Sequence, residues 1–395
     1  MNATRAISAG MRIISDTSSL EAFCTAQESS AYITIDTEFM RDTSYWPKLC
    51  LIQVGGADEA VIIDPLREGL DLEPLYALLR NPDVTKVFHA ARQDLEIFYQ
   101  RMGSVPAPVF DTQVAAMVCG FGDQVSYEKL VAALTSHSID KGARFTDWSR
   151  RPLGEKQLSY ALADVTHLRE VYEKLSRRLE KNGRESWLGD EMAVLADPET
   201  YQNDPEKAWQ RLKSRSRDRR YLAVMRALAT WREKEAQSRD VPRSRILKDE
   251  QIYDLASNRP NTIDGLARAR GISADMAKGR IGREILKIIE DTTSLPKNQL
   301  PTAADQDDSN RDEASPALIE LMKVLLKAKC EEHEIAQKLL ANVSDLEQIA
   351  LDDDADVPAL KGWRREIFGR YALKLKQGKI ALSAEDRSVK VLSLN

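Results

Sequence analysis

Apolar and polar residues alternate through AYITIDTEF at 31–39, the period of a strand with one covered face. Two further apolar runs, LCLIQV at 49–54 and AVIIDPL at 60–66, are separated by the turn-forming GGADE. An antiparallel meander is therefore expected between about Met11 and Ile63. Beyond Pro65 the period changes to that of a helix in LEPLYALLRNP, returns to a short strand in KVFHA, and becomes helical again in RQDLEIFYQRMG, where Gly103 is the stop. Helices are also expected at TQVAAMVCG, at SYEKLVAALTS and through the long segment 155–183. Strands followed by helices make an α/β domain, with its expected boundary at residues 1–205.

From Trp209 the chain turns helical and basic, and a small all-α domain is expected over 209–290. Residues 291–315 are rich in proline, polar and acidic side chains and too poor in apolar ones to order themselves, so they read as a flexible linker. A second all-α domain is expected over 316–390, from ALIELMKVLLKAKCEEHEIAQKLL, VSDLEQIA and WRREIFGRYALKLKQGK. Its pattern is close enough to the first to suggest a degenerate duplication.

With 57 basic against 62 acidic residues, the net charge of −5 gives the whole molecule no general attraction to nucleic acid. Locally the balance reverses at Arg211, Lys213, Arg215, Arg217, Arg219 and Arg220. No apolar run approaches a membrane span and the first residues lack an export signal, so a soluble, cytoplasmic protein is expected. Met11 offers a second possible start. Cys24, Cys50, Cys119 and Cys330 are too dispersed for a thiolate zinc site or a disulfide framework, and the four histidines form no cluster. Any catalytic metal should thus have oxygen ligands, which favours magnesium or manganese.

Asp36 and Glu38 stand two apart on the first predicted strand, so both carboxylates leave the same face. Acidic pairs in apolar strands need a counter-charge, either a divalent cation or, at an exposed strand end, Arg41. Asp94 lies at the start of a helix, where it either serves chemistry or favours the helix N-terminus. Tyr160 and Asp164, four apart, share a helix face. A buried tyrosine bonded to a carboxylate is the plainer reading of that pair.

In this order the three segments resemble the exonuclease motifs of the DEDD superfamily, in its tyrosine variety. IDTEFMRDTSYWPKLCLIQ, KVFHAARQDLEIF, FTDWSRRPL and LSYALADVTHL are similar to the corresponding stretches of the ribonuclease D family. LATWREKEAQSRDVPRSRILKDEQIYDLA with RPNTIDGLARARGI resembles an HRDC domain. The resemblance implies an RNase H-like, DnaQ-like mixed sheet with flanking helices, followed by two small helical domains. It implies a 3′–5′ exoribonuclease that releases nucleoside 5′-monophosphates by a two-metal mechanism, with Mg²⁺ or Mn²⁺ as the ions. Asp36, Glu38, Asp94 and Asp164 would bind metal, with Asp36 bridging both ions, and Tyr160 would orient the attacking water.

The implied partner is RNA with a free single-stranded 3′ end, transfer RNA precursors among them, and a monomer is expected. Met40 is a candidate wedge between terminal bases, although a methionine there also suits a core. His89 and Arg92 are candidate phosphate contacts, while Arg215, Arg219 and Trp231 are candidates for holding the RNA strand. Trp148, Arg151 and Pro152 are expected to fix the loop before the last helix. Two rival readings are a DNA exonuclease of the same superfamily, because the phosphodiester chemistry does not distinguish sugars, and a noncatalytic RNA-binding scaffold.

Overall fold

A computed structural model describes residues 12–140, 142, 146–213, 216, 218–301 and 314–394. Met11, Arg215, Arg217 and much of the expected linker lie outside the described residues. Two compact units are formed, one from Met1–Phe39, Leu49–Tyr201 and Asp312–Asn395, the other from Met40–Lys48 and Gln202–Arg311. Among the described residues, no helix is long and apolar enough to cross a membrane. All four cysteines are buried free thiols.

The first unit is built on a six-stranded mixed sheet. Its strands are β1 (Arg12–Ile14), β2 (Tyr32–Met40), β3 (Lys48–Gly55), β4 (Ala60–Ile63), β5 (Thr85–Phe88) and β6 (Val109–Asp111). The spatial order is β1-β4-β3-β2-β5-β6. β3 and β4 pair antiparallel, as the expected meander requires, while β1–β4, β2–β5 and β5–β6 are parallel. The flanking helices are α1 (Thr17–Gln27), α2 (Glu73–Arg80), α3 (Arg92–Met102), α4 (Thr112–Val118), α5 (Tyr127–Leu134) and α6 (Glu155–Asn182). α3 and α6 both end on a glycine in the left-handed region, Gly103 at φ 72° and Gly183 at φ 62°. β1, α1 and β6 go beyond the pattern reading. The two strands are only three residues long, too short to show alternation.

α6 crosses one face of the sheet at close range. The Thr34 hydroxyl donates to the Val165 carbonyl at 2.8 Å. A Cβ on Gly55 would lie 2.3 Å from Thr34 Oγ1 and 3.2 Å from the Val165 carbonyl oxygen, so only glycine lets helix and strand meet here. Gly55→Ala should therefore lower unfolding free energy by about 1–3 kcal/mol through overpacking, measurable by urea titration.

The C-terminal segment belongs to this same unit. It contains helices Pro316–His333, Gln337–Leu340 and Val343–Leu351, a π-turn at Arg365–Gly369 and helix Arg370–Lys376. A two-stranded hairpin follows, pairing Ile380–Glu385 with Ser388–Ser393. The hairpin departs from the all-helical expectation for 316–390; the alternation in IALSAE and SVKVLS is its sequence signal.

The second unit packs helices Arg219–Ser238, Asp249–Asn258 and Arg280–Thr293 around Leu222, Leu228, Ile252, Leu255 and Ile285. Helix 280–293 and a short turn at Lys297–Gln299 order the start of the stretch expected to be a linker. The β2–β3 connection also belongs here. Tyr45 packs with Ala236 and Ile246, its hydroxyl donates to Glu233, and the backbone N–H groups of Tyr45 and Trp46 donate to Asp240 at 3.0 and 2.9 Å.

Candidate active site

The strand period turns Asp36 and Glu38 to one face of β2, and the helix period turns Tyr160 and Asp164 to one face of α6. The Thr34–Val165 bond holds these two faces together. Ligand atoms of Asp36, Glu38 and Asp164 consequently lie within 4.8 Å of one another. Thr37, between the two strand carboxylates, donates its hydroxyl to Asp94 on the first turn of α3. All four carboxylates and Tyr160 line one cleft of about 630 Å³.

Burial raises the Asp36 carboxyl well above the ordinary range, and the Asp164 charge adds to it. Burial likewise raises Asp94 well above its ordinary value, and the charge of Asp36 adds to the effect. Carboxylates buried this close together are relieved either by a shared proton or by a positive charge among them. Oxygen donors without thiolate or imidazole suit a hard divalent ion, so the residues fit a divalent metal. Burial, then the charges of Asp164, Glu38 and Asp36, push the Tyr160 phenol up. Tyr160 therefore keeps its proton at neutral pH, and it is hydrogen-bonded to Asp164.

The Asp111 carboxylate fixes the approach to α3. It accepts from the N–H groups of Ala90, Ala91 and Gln113 at 2.7–3.0 Å. His89 lines the cleft. Its Nε2 lies 3.1 Å from the Val125 carbonyl and its Nδ1 3.0 Å from the Thr112 hydroxyl. Burial lowers the His89 pKa, so a neutral ring donating from Nε2 fits these partners.

Other candidates are placed differently. Phe39 lines the cleft, while Met40 ends β2 half-buried. Arg92 is exposed at the start of α3. Within the second unit, Arg219 donates to the carbonyls of Leu300 and Pro301, and the Trp231 indole N–H donates to Glu284 at 3.0 Å. Tyr127, which the sequence reading did not single out, also lines the cleft, and its hydroxyl donates to the Asp164 carbonyl at 2.8 Å. It sits on an ordinary amphipathic helix, so only the fold marks it.

A 3′-5′ exonuclease family model matches residues 11–180, and an HRDC domain model matches residues 221–289. Ribonuclease D of Granulibacter bethesdensis is 51% identical over 381 residues, covering 96% of each chain. The chain belongs to the ribonuclease D family. Ribonuclease D of Acidiphilium cryptum is 50% identical over 382 residues, covering 97% of each. The crystal structure of Escherichia coli RNase D, described as an exoribonuclease involved in structured RNA processing, superposes with a TM-score of 0.80 at 29% identity. It covers 93% of this chain and 99% of that one. As a ribonuclease D family member, the protein is a 3′–5′ exoribonuclease that uses divalent metal.

Proposed function

We propose that this enzyme removes single nucleotides as 5′-monophosphates from RNA with an unpaired 3′ end, transfer RNA precursors included, using two Mg²⁺ or Mn²⁺ ions. The observation that carries the reading is the convergence of Asp36, Glu38 and Asp164 within 4.8 Å, with Asp94 in the same cleft. Asp36, Glu38 and Asp164, whose ligand atoms converge, would hold divalent metal together with Asp94 of the same cleft. Bound divalent ions supply an activated water and offset the charge that develops on the phosphate oxygens. Tyr160, still protonated, orients the nucleophile for in-line attack. Thr37 fixes Asp94, and Tyr127 fixes the Asp164 turn of α6.

The nuclease with the C-terminal segment in its unit, and the helical unit that carries residues 209–290, work as a cytoplasmic monomer. Basic residues near 211–220, including Arg215 and Arg219, guide the strand by its phosphates, and Trp231, Met40, His89 and Arg92 are further contacts.

The direct test is shortening of a 3′-extended single-stranded RNA with Mg²⁺, Mn²⁺ or chelator, beside a DNA of the same sequence. Stepwise metal-dependent shortening of RNA ahead of DNA supports the reading. Equal rates on DNA move the substrate to the rival exonuclease class, and bound but uncut RNA moves the protein to the scaffold class. Tyr160→Phe should lower kcat by on the order of a hundredfold, the lower end for a side chain positioned on a proton-bearing nucleophile, with RNA affinity nearly unchanged. A large fall in thermal midpoint instead would assign Tyr160 to the core.

A further inference from the structure

The C-terminal segment touches the nuclease at the base of the loop that forms one wall of the cleft. The Ala336 N–H donates to the Met117 carbonyl at 3.0 Å, at the last turn of α4. The Lys338 N–H donates to Asp123 Oδ1 at 3.3 Å. Gly120, at φ 84°, lies so close that a Cβ there would be 2.9 Å from the Glu334 carbonyl oxygen. Ala336 and Leu339 belong to the same apolar cluster as Ala115, Val118 and Leu130.

Behind this contact stands a four-layer stack. The rings of Trp187 and Trp363 are parallel at 4.4 Å, with Arg184 over one outer face at 4.8 Å and Arg364 over the other at 4.7 Å. Arg184 donates to the Val118 carbonyl at 3.1 Å, and buried Arg364 donates to Leu339, Asp190 and Glu191 at 2.6–2.7 Å. Aromatic stacking and the bonds of buried Arg364 tie the segment down at this point.

The other end of the same loop faces the reaction. Gln124 and Ser126 line the cleft. Between them, the Val125 carbonyl accepts from His89 Nε2 and from Gln113 Nε2, both at 3.1 Å, and His89 and Gln113 line the cleft too. α4 thus meets the cleft with its first turn and the C-terminal segment with its last. Both side chains therefore bond to one carbonyl of this loop.

We infer that residues 334–338 and 363–364 are positioning elements of the nuclease cleft, setting the wall at 124–126 and the orientation of His89 and Gln113. This inference rests on the cleft as the place of reaction, which Asp36→Asn tests separately. In the full-length protein, Gly120→Val, which meets the Glu334 carbonyl and also strains the loop's own backbone at φ 84°, should lower kcat by about tenfold to a hundredfold, and the Asp123 pair isolates the contact with the C-terminal segment. Asp123→Ala, a milder loss of one acceptor, should lower it a fewfold, and Asp123→Asn, which keeps an acceptor oxygen, should restore it.

Kinetics on a tetranucleotide and on a long unstructured RNA, with amide exchange at 124–126, decide the matter. Equal kcat losses on both RNAs, unchanged KM and faster exchange at 124–126 are expected. A loss confined to KM on the long RNA would make the segment an RNA-docking surface and overturn the inference. So would faster exchange at 334–338 with kcat intact, or failure of Asp123→Asn to differ from Asp123→Ala. A dead Asp36→Asn beside unaffected Asp123 variants would reject the inference while leaving the active site in place.

Discussion

Asp36→Asn should lower kcat by on the order of a thousandfold or more, the upper range for losing one group that stabilises transition-state charge, while the protein remains folded. The substitution keeps the side chain's size and removes a charge from the centre of the carboxylate set. In chelator, wild type carries the repulsion that raises Asp36 and Asp94, so the variant should unfold at a higher temperature. Added metal should then raise the wild-type midpoint by binding only the folded form and should raise the variant's by much less. Calorimetry with Mn²⁺ titration beside the RNA assay separates these effects. Normal turnover, or a collapse of stability in chelator, would remove Asp36 from the metal site.

Arg151→Met should cost about 3 kcal/mol of stability at neutral pH, because it leaves a buried carboxylate without its partner. Arg151 donates to both oxygens of Asp64 at 2.7 and 2.8 Å, to the Cys50 carbonyl of β3 at 2.7 Å and to the Trp148 carbonyl at 2.8 Å. Asp64 is 7% exposed at its side chain, and the other cation nearby, Arg67 at 3.8 Å, is 65% exposed and no substitute. Burial works to raise the Asp64 carboxyl, but the hydrogen bonds and charge of Arg151 outweigh it and hold the group below its ordinary value.

A depressed folded pKa means that the pair stabilises above the unfolded value of about 3.9 and that this stability fades as pH falls below it. In the variant the lone carboxylate is raised instead, so the stability gap from wild type should narrow on acidification. Urea titrations at neutral pH and near pH 4 measure both limbs. Turnover should fall as well, because the loop held by Arg151 carries Trp148, whose ring centre lies 6.2 Å from that of Tyr160. A gap that widens in acid would show that Asp64 is not the partner that matters.

The candidate site was legible because it is written in short periods. A strand repeats every two residues and a helix every 3.6, so the faces shared by Asp36 with Glu38 and by Tyr160 with Asp164 follow from spacing alone. Asp94 was readable only through the order of the three motifs, since by itself it is an ordinary first-turn acid. Long-range partners left no such trace. Thr37 on Asp94, Tyr127 on the Asp164 carbonyl and the bonds Asp111 makes to Ala90 and Ala91 join residues 20 to 57 positions apart.

By itself, the sequence determined the strand and helix faces, the acidic motif set and the helical character of the second half, because these depend on neighbours within one or two turns. Only the tertiary structure decided that residues 40–48 join the second unit through Tyr45 and Glu233, and that the C-terminal segment joins the nuclease through Ala336, Lys338 and the paired tryptophans. A hydroxyl that needs an acceptor, or an aromatic face that needs covering, states its demand in the sequence. Which distant residue meets that demand is settled when the chain packs, since burial rewards any partner that fits and leaves no local period to read.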